Sequence, residues 1–126
     1  MATTHSPAFL ALVDAARAHV REVSTDDLRD RQAANPALVL VDVREDDEWR
    51  AGHVAGARHI GKGVIERDIE TAIPDMGAEI VLYCGGGFRS ALAADALQQM
   101  GYANVASLDG GWRALQDAGF DTTAGG

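Results

Sequence analysis

The sequence contains a single cysteine, Cys84, and the residues that follow it are of types that make a thiol reactive. They are Gly85, Gly86, Gly87, Phe88, Arg89 and Ser90. Glycines tolerate positive φ and let a loop curl closely around a small ligand. Backbone N–H groups and an arginine stabilise a thiolate and also attract anions. The stretch therefore predicts an ionised, nucleophilic Cys84 in an anion-binding loop.

The flanking segments explain how this loop is held. The segment 79–83, apolar from Ile80 onward, predicts a buried strand that ends just before Cys84. The segment 90–100 predicts a helix with Ser90 as its N-cap, and the start of a helix carries free N–H groups and partial positive charge. A simpler reading makes Cys84 a small buried hydrophobic residue at a strand end. The Gly-Gly-Gly-Phe-Arg-Ser context favours the reactive thiol.

Strand and helix patterns alternate along the rest of the chain and predict an α/β fold. We expect one open, mostly parallel sheet with helices on both faces. Two more strands are predicted at 38–43 and 104–107, and the carboxyl ends of parallel strands lie at one sheet edge. The loops 42–45, 84–89 and 107–112 should therefore meet there. Polar residues at such an edge are site candidates, and the first loop contributes Asp42 and Arg44.

The predicted organisation has three parts within one domain-sized chain of 126 residues. Residues 1–24 form an N-terminal extension whose helix, at 6–20, packs on the domain. Residues 25–120 form the domain itself, and residues 121–126 form a flexible tail. The first residues lack the basic and apolar regions of a signal peptide, and no apolar run reaches membrane-spanning length.

Charge and composition limit the partners. The net charge of −8 argues against nucleic acid and anionic membranes. A lone cysteine forms no intramolecular disulfide, so we expect a reducing, cytoplasmic location. Four histidines and one thiol offer no recognisable metal cluster, so neither a metal nor another cofactor is expected. The chain is expected to be a monomer or a weak homodimer.

Four motifs together resemble the single-domain rhodaneses, a family of sulfurtransferases. In sequence order they are 41–45 followed by Glu48-Trp49, then 52–57, then 83–90, and finally Asp109-Gly110-Gly111-Trp112. They span most of the chain, from 38 to 118. The helix at 6–20 lies outside them, and no function is carried onto it.

The resemblance implies persulfide chemistry. Cys84 would take the outer sulfur of thiosulfate or of a persulfide donor, and a thiol or cyanide would then remove it. The thiolate is the nucleophile in such chemistry. The backbone of residues 85–90 would bind the sulfonate of the donor and the transferred sulfur. Asp42 and Arg44 are expected to form a supporting polar network. Arg89 either binds the anion or braces the loop, and both roles stay open.

Two alternatives remain. Phosphatases related to rhodaneses separate their cysteine and arginine by five residues, whereas four lie between Cys84 and Arg89. The shorter loop should favour attack at sulfur over phosphorus, which makes a phosphatase or arsenate reductase less favoured. A non-enzymatic regulatory or redox-sensing module is the other alternative. Cys84 has no resolving cysteine in the chain, so a sensor disulfide would have to be intermolecular.

Overall fold

The computed structural model describes residues 5–126, in which short strands and helices alternate. In chain order the elements are α1 (Pro7–Arg17), β1 (Arg21–Val23), α2 (Thr25–Ala34), β2 (Val39–Asp42), α3 (Asp46–Ala51), β3 (His53–Val54), β4 (Arg58–His59), α4 (Ile65–Ala72), β5 (Ile80–Tyr83), α5 (Phe88–Met100), β6 (Val105–Leu108), α6 (Gly111–Asp117) and β7 (Thr122–Thr123). Residues 1–4 of the predicted N-terminal extension lie outside the described residues.

Five strands form one sheet in the order β1-β6-β5-β2-β4, and every neighbouring pair runs parallel. The central strand β5 is fully buried, because both of its faces are covered. Its side chains alternate between two apolar clusters, as the period of a strand requires. Ile80 and Leu82 enter one cluster, and Val81 and Tyr83 enter the other.

Helices cover both faces of this sheet, as the sequence predicted. One cluster joins the sheet to α4 and α5 through residues such as Ile69 and Leu97. The other joins it to α2 and α6 through Leu28 and Leu115. This arrangement confirms the α/β class.

The N-terminal helix α1 packs against α5. Its first turn is capped, since Ser6 Oγ accepts a hydrogen bond from the Phe9 N–H at 3.4 Å and Pro7 occupies the first helical position. Val13 and Ala16 are buried against the domain. The helix is therefore part of the folded body, and its N-terminal end points to the same region as the start of α5.

The C-terminal residues differ from the flexible tail expected for 121–126. Thr122 and Thr123 form β7, which pairs antiparallel with β3 in a separate two-stranded sheet. The Gly125 N–H also donates to the Arg50 carbonyl at 2.9 Å. Tertiary hydrogen bonds to a neighbouring strand order this segment, and no local sequence signal reports such a partner.

Candidate active site

Cys84 lies directly after β5, at the sheet edge where β2 and β6 also end. It is 1% exposed. The backbone ties it to the two neighbouring loops. The Val43 N–H donates to the Tyr83 carbonyl at 2.9 Å, and the Trp112 N–H donates to the Cys84 carbonyl at 2.7 Å. The structure thus brings together the three loops that the sequence placed at one edge.

The sulfur of Cys84 is held by the loop that follows it. The Gly87 N–H lies 3.1 Å from Sγ and the Ser90 N–H lies 3.4 Å from it, and both donate to the sulfur. Gly87 adopts φ +101°, a left-handed conformation that suits glycine. Two backbone N–H donors thus converge on the one sulfur of Cys84.

The prediction that Ser90 caps the following helix is wrong. Helix α5 begins at Phe88, with Gly87 in the N-cap position, so Ser90 lies within the first turn. Its hydroxyl is fully buried, 3.5 Å from Cys84 Sγ, and shares a 2.8 Å hydrogen bond with Ser107 Oγ. The Cys84 sulfur accepts the hydrogen bond from the Ser90 N–H that a capping side chain would otherwise accept. Ser107 was not singled out from the sequence, because nothing local connects the two hydroxyls.

Arg89 forms an ion pair with Glu48 of α3. Arg89 Nη1 and Nη2 donate to Glu48 Oε1 and Oε2 at 2.7 and 3.1 Å. The side-chain hydrogen bonds from Arg89 hold the pKa of Glu48 below its ordinary value. The hydrogen bonds of Glu48 likewise raise the pKa of Arg89. This geometry favours the bracing role for Arg89 over direct anion binding, because two of its five N–H donors and its charge are already paired with a carboxylate.

Asp42 and Arg44 form a buried polar network beneath the site. Arg44 Nε and Nη2 donate to the Asp42 carboxylate, with the shortest distance 2.7 Å, and Nη2 also donates to the Gly52 carbonyl at 2.6 Å. Burial opposes the charge on Arg44, but the hydrogen bonds and charge of Asp42 outweigh it and raise the pKa of Arg44. The guanidinium lies 4.7 Å from the ring of Trp112. The network thus links the β2 loop to the start of α6.

His53 takes no part in the cleft around Cys84. Its Nδ1–H donates to the Trp49 carbonyl at 2.8 Å, and its ring stacks on that of Trp49. The histidine therefore fixes the turn after α3 through a backbone hydrogen bond.

A cleft of about 900 Å³ opens above Cys84. Its lining comes from the cysteine loop, from α6 with the residue before it, and from the N-terminal segment: His5, Phe9, Cys84, Gly85, Gly86, Phe88, Arg89, Gly110, Trp112, Arg113 and Gln116. The sequence predicted the loop residues but not His5, Phe9, Arg113 or Gln116. Helical periodicity can place Phe9 on α1, but it cannot show where α1 docks.

Neither a metal-binding cluster nor a membrane-spanning helix is found within residues 5–126. No three side chains of His, Cys, Asp or Glu are grouped so that they could bind a metal ion there. No helix in this part of the chain has the length and apolar character needed to cross a membrane.

Comparison with known proteins identifies similar chains. Residues 24–118 match the family model described as the Rhodanese-like domain. Thiosulfate sulfurtransferase GlpE of Pseudomonas aeruginosa is 36% identical over 98 residues, which cover 75% of this chain and 86% of that relative.

Two solved structures extend the similarity. A Rhodopseudomonas palustris protein of unknown function, described as a possible tyrosine phosphatase, superposes with TM-score 0.79 at 30% identity and covers 98% of this chain and 99% of its own. The polysulfide-sulfur transferase homodimer of Wolinella succinogenes gives TM-score 0.78 at 28% identity, covering 93% and 88%.

Proposed function

Because the chain belongs to the rhodanese-like domain family and is similar to a named sulfurtransferase, we propose that it moves a sulfane sulfur through a persulfide on Cys84. The donor is thiosulfate or a persulfide, and the acceptor is a thiol or cyanide. The observation that supports this most strongly is the pair of N–H groups, from Gly87 and Ser90, that point at Cys84 Sγ at the bottom of the cleft.

In the first half-reaction, the Cys84 thiolate attacks the outer sulfur of thiosulfate. The bond between the two sulfurs of thiosulfate breaks, and sulfite leaves with the bonding electron pair. No base is needed when the thiol is already ionised. The loop amides of Gly85, Gly86, Phe88 and Arg89 donate no hydrogen bond within residues 5–126, so they are free to bind the sulfonate and the terminal sulfur.

In the second half-reaction, an acceptor nucleophile attacks the outer sulfur of the Cys84 persulfide. The sulfur–sulfur bond breaks and its electron pair returns to Cys84 Sγ, which regains the thiolate. Cyanide would give thiocyanate, and a thiol would give a new persulfide. Two separated half-reactions on one cysteine predict ping-pong kinetics.

We further propose that residues 25–120 form the unit that carries this chemistry. Residues 1–24 then form an extension to it, and the family match over 24–118 supports this division.

The test is the intact mass of the purified protein after incubation with thiosulfate, before and after cyanide. We expect a gain of one sulfur atom that cyanide removes, and no gain in Cys84→Ser. Trapping of the bound sulfur at a residue other than Cys84 would contradict the mechanism. Turnover of a phosphate monoester by the wild type, lost in Cys84→Ser, would favour the phosphatase alternative.

The regulatory or redox-sensing module gives a different result in the same assay. It predicts no sulfur gain from either thiosulfate or a persulfide donor, together with dimers that form under oxidants through Cys84. These dimers should be reversed by reductant and be absent in Cys84→Ser.

A further inference from the structure

The cleft over Cys84 is much larger than the sulfur donor. Its volume is about 900 Å³, whereas a thiosulfate ion takes the space of only a few water molecules at ~30 Å³ each. Clefts of this size typically hold organic molecules. The cysteine at its base is 1% exposed, so an acceptor must reach into the cleft to touch the sulfur. The cleft therefore has room for an organic acceptor beside the bound sulfur.

One side of the cleft is lined by three aromatic rings, His5, Phe9 and Phe88, which we call the aromatic wall. The rings of His5 and Phe88 lie 4.7 Å apart at 74°, and those of Phe9 and Phe88 lie 6.2 Å apart at 74°. The Arg17 guanidinium lies 4.9 Å from the centre of the Phe88 ring. Edge-to-face contacts of this kind are favourable and fix the ring orientations.

The wall depends on a segment outside the family domain. His5 and Phe9 precede residue 24, where the family match begins. Helix α1 is anchored to the body through the buried Val13 and Ala16, so Phe9 is held in place by a rigid element. The N-terminal segment thus adds an apolar surface to a site that the rest of the chain builds.

The lining also contains one cation whose charge is not neutralised by an ion pair. Arg89 is paired with Glu48, whereas Arg113 on α6 is exposed and forms no ion pair within residues 5–126. A ligand carboxylate would find Arg113 available. In a chain with net charge −8, such a local cation is what attracts an anionic ligand into the cleft.

We propose that the aromatic wall and Arg113 select the sulfur acceptor, and that this acceptor is a small organic thiol with an apolar body and a carboxylate. The proposal rests on the proposed function. The acceptor thiolate attacks the outer sulfur of the Cys84 persulfide, the old sulfur–sulfur bond breaks toward Cys84 Sγ, and the acceptor leaves as a persulfide. The apolar body packs on the wall while the carboxylate pairs with Arg113.

The test uses protein loaded with sulfur by thiosulfate or a persulfide donor, and measures the second-order rate constant of discharge. The probes are 4-(mercaptomethyl)benzoate, its neutral benzamide analogue, and 3-mercaptopropionate, with cyanide as the reference. For the wild type we expect the benzoate to react about tenfold faster than mercaptopropionate, from aromatic packing. We expect it to react about two- to fivefold faster than the benzamide, from the exposed charge pair.

The variants separate the two contributions. Phe9→Ala, and the milder Phe9→Leu, should reduce the ratio of benzoate to mercaptopropionate. Arg113→Gln should remove the preference for benzoate over benzamide. Leu12→Ala on the same helix and Arg58→Gln on β4 lie outside the cleft and serve as matched controls. Each comparison is a ratio of two discharge rate constants measured on the same protein, so a loss of active material in a variant does not affect it.

The outcomes distinguish the two proposals. A wild-type protein that takes up no sulfur from thiosulfate or a persulfide contradicts the proposed function and this inference with it. A protein that is loaded and discharged by cyanide, but shows equal ratios in wild type, Phe9→Ala and Arg113→Gln, overturns this inference alone. Discharge by a protein thiol with no discharge by any of the three small thiols also overturns it.

Discussion

Arg89 and Glu48 form a two-point ion pair, at 2.7 and 3.1 Å, between the cysteine loop and α3. The pair joins α3 to the first turn of α5, directly after the glycines of the Cys84 loop, so it fixes the loop in relation to α3. The arginine of the loop is thereby neutralised before any anion enters.

We expect Arg89 to contribute more to holding the loop than to binding thiosulfate. Arg89→Gln and Glu48→Gln should each lower the free energy of unfolding. The double variant should lower it by less than the sum of the two single changes. The coupling should be roughly 0.5–1 kcal/mol, because the pair is partly exposed. Urea unfolding of the four proteins measures it. The opposite result would be a severalfold rise in KM for thiosulfate in Arg89→Gln but not in Glu48→Gln, with additive effects of the two changes on stability. It would mean that Arg89 binds the anion.

The same pair predicts a pH dependence of stability. Hydrogen bonds from Arg89 hold the pKa of Glu48 below its ordinary value in the folded state. Its contribution is therefore fully present above the unfolded pKa of ~4.3 and is lost as pH falls through the lower folded pKa. The difference in unfolding free energy between wild type and Glu48→Gln should shrink between pH 6 and pH 3. Glu66→Gln, at an exposed position on α4, is the control. If the difference in unfolding free energy between wild type and Glu48→Gln were the same at pH 3 as at pH 6, the ion pair would not be the source of the stabilisation.

The buried hydroxyl pair behind the sulfur gives a prediction about stability. Ser107→Ala removes the 2.8 Å partner of the fully buried Ser90 hydroxyl and leaves it only the long 3.5 Å contact with Cys84 Sγ. An unsatisfied buried hydroxyl costs about 1–3 kcal/mol, whereas removing both hydroxyls should cost less than the two single changes together. Chemical unfolding of Ser90→Ala, Ser107→Ala and the double variant checks this. Strict additivity would show that the two hydroxyls do not depend on each other.

We expect the largest structural effect from adding a side chain at Gly111. A Cβ atom there would overlap the carbonyl groups of Cys84 and Gly85, and φ is +55°. Gly119 has φ +80° with nothing within 4 Å of its added Cβ. Gly119→Ala should cost about 1–2 kcal/mol from the left-handed backbone alone. Gly111→Ala should cost clearly more and also disturb sulfur loading, because backbone atoms of the cysteine loop must move. Equal melting temperatures for the two variants would contradict this reading.

The sequence predicted the elements that bear the site, because their signals are local. Apolar runs located β2, β5 and β6 to within about one residue, and the glycine-rich segment after Cys84 marked the loop. What the sequence did not yield is the set of contacts across space. These contacts depend on how distant elements pack together. They are the hydrogen bond between Ser90 and Ser107, the ion pair between Arg89 and Glu48, and the position of Phe9 beside the cleft.

The first and last strands of the main sheet are neighbours: β1, from residues 21–23, pairs with β6, from residues 105–108. Helix α1 likewise packs on α5, which follows it by most of the chain. Such distant pairings carry a large loop-closure cost before they yield any stabilisation. During synthesis the N-terminal segment must therefore wait until α5 and β6 have emerged. The cleft over Cys84 is accordingly among the last features to assemble, and no nascent fragment ending before β6 can contain it in finished form.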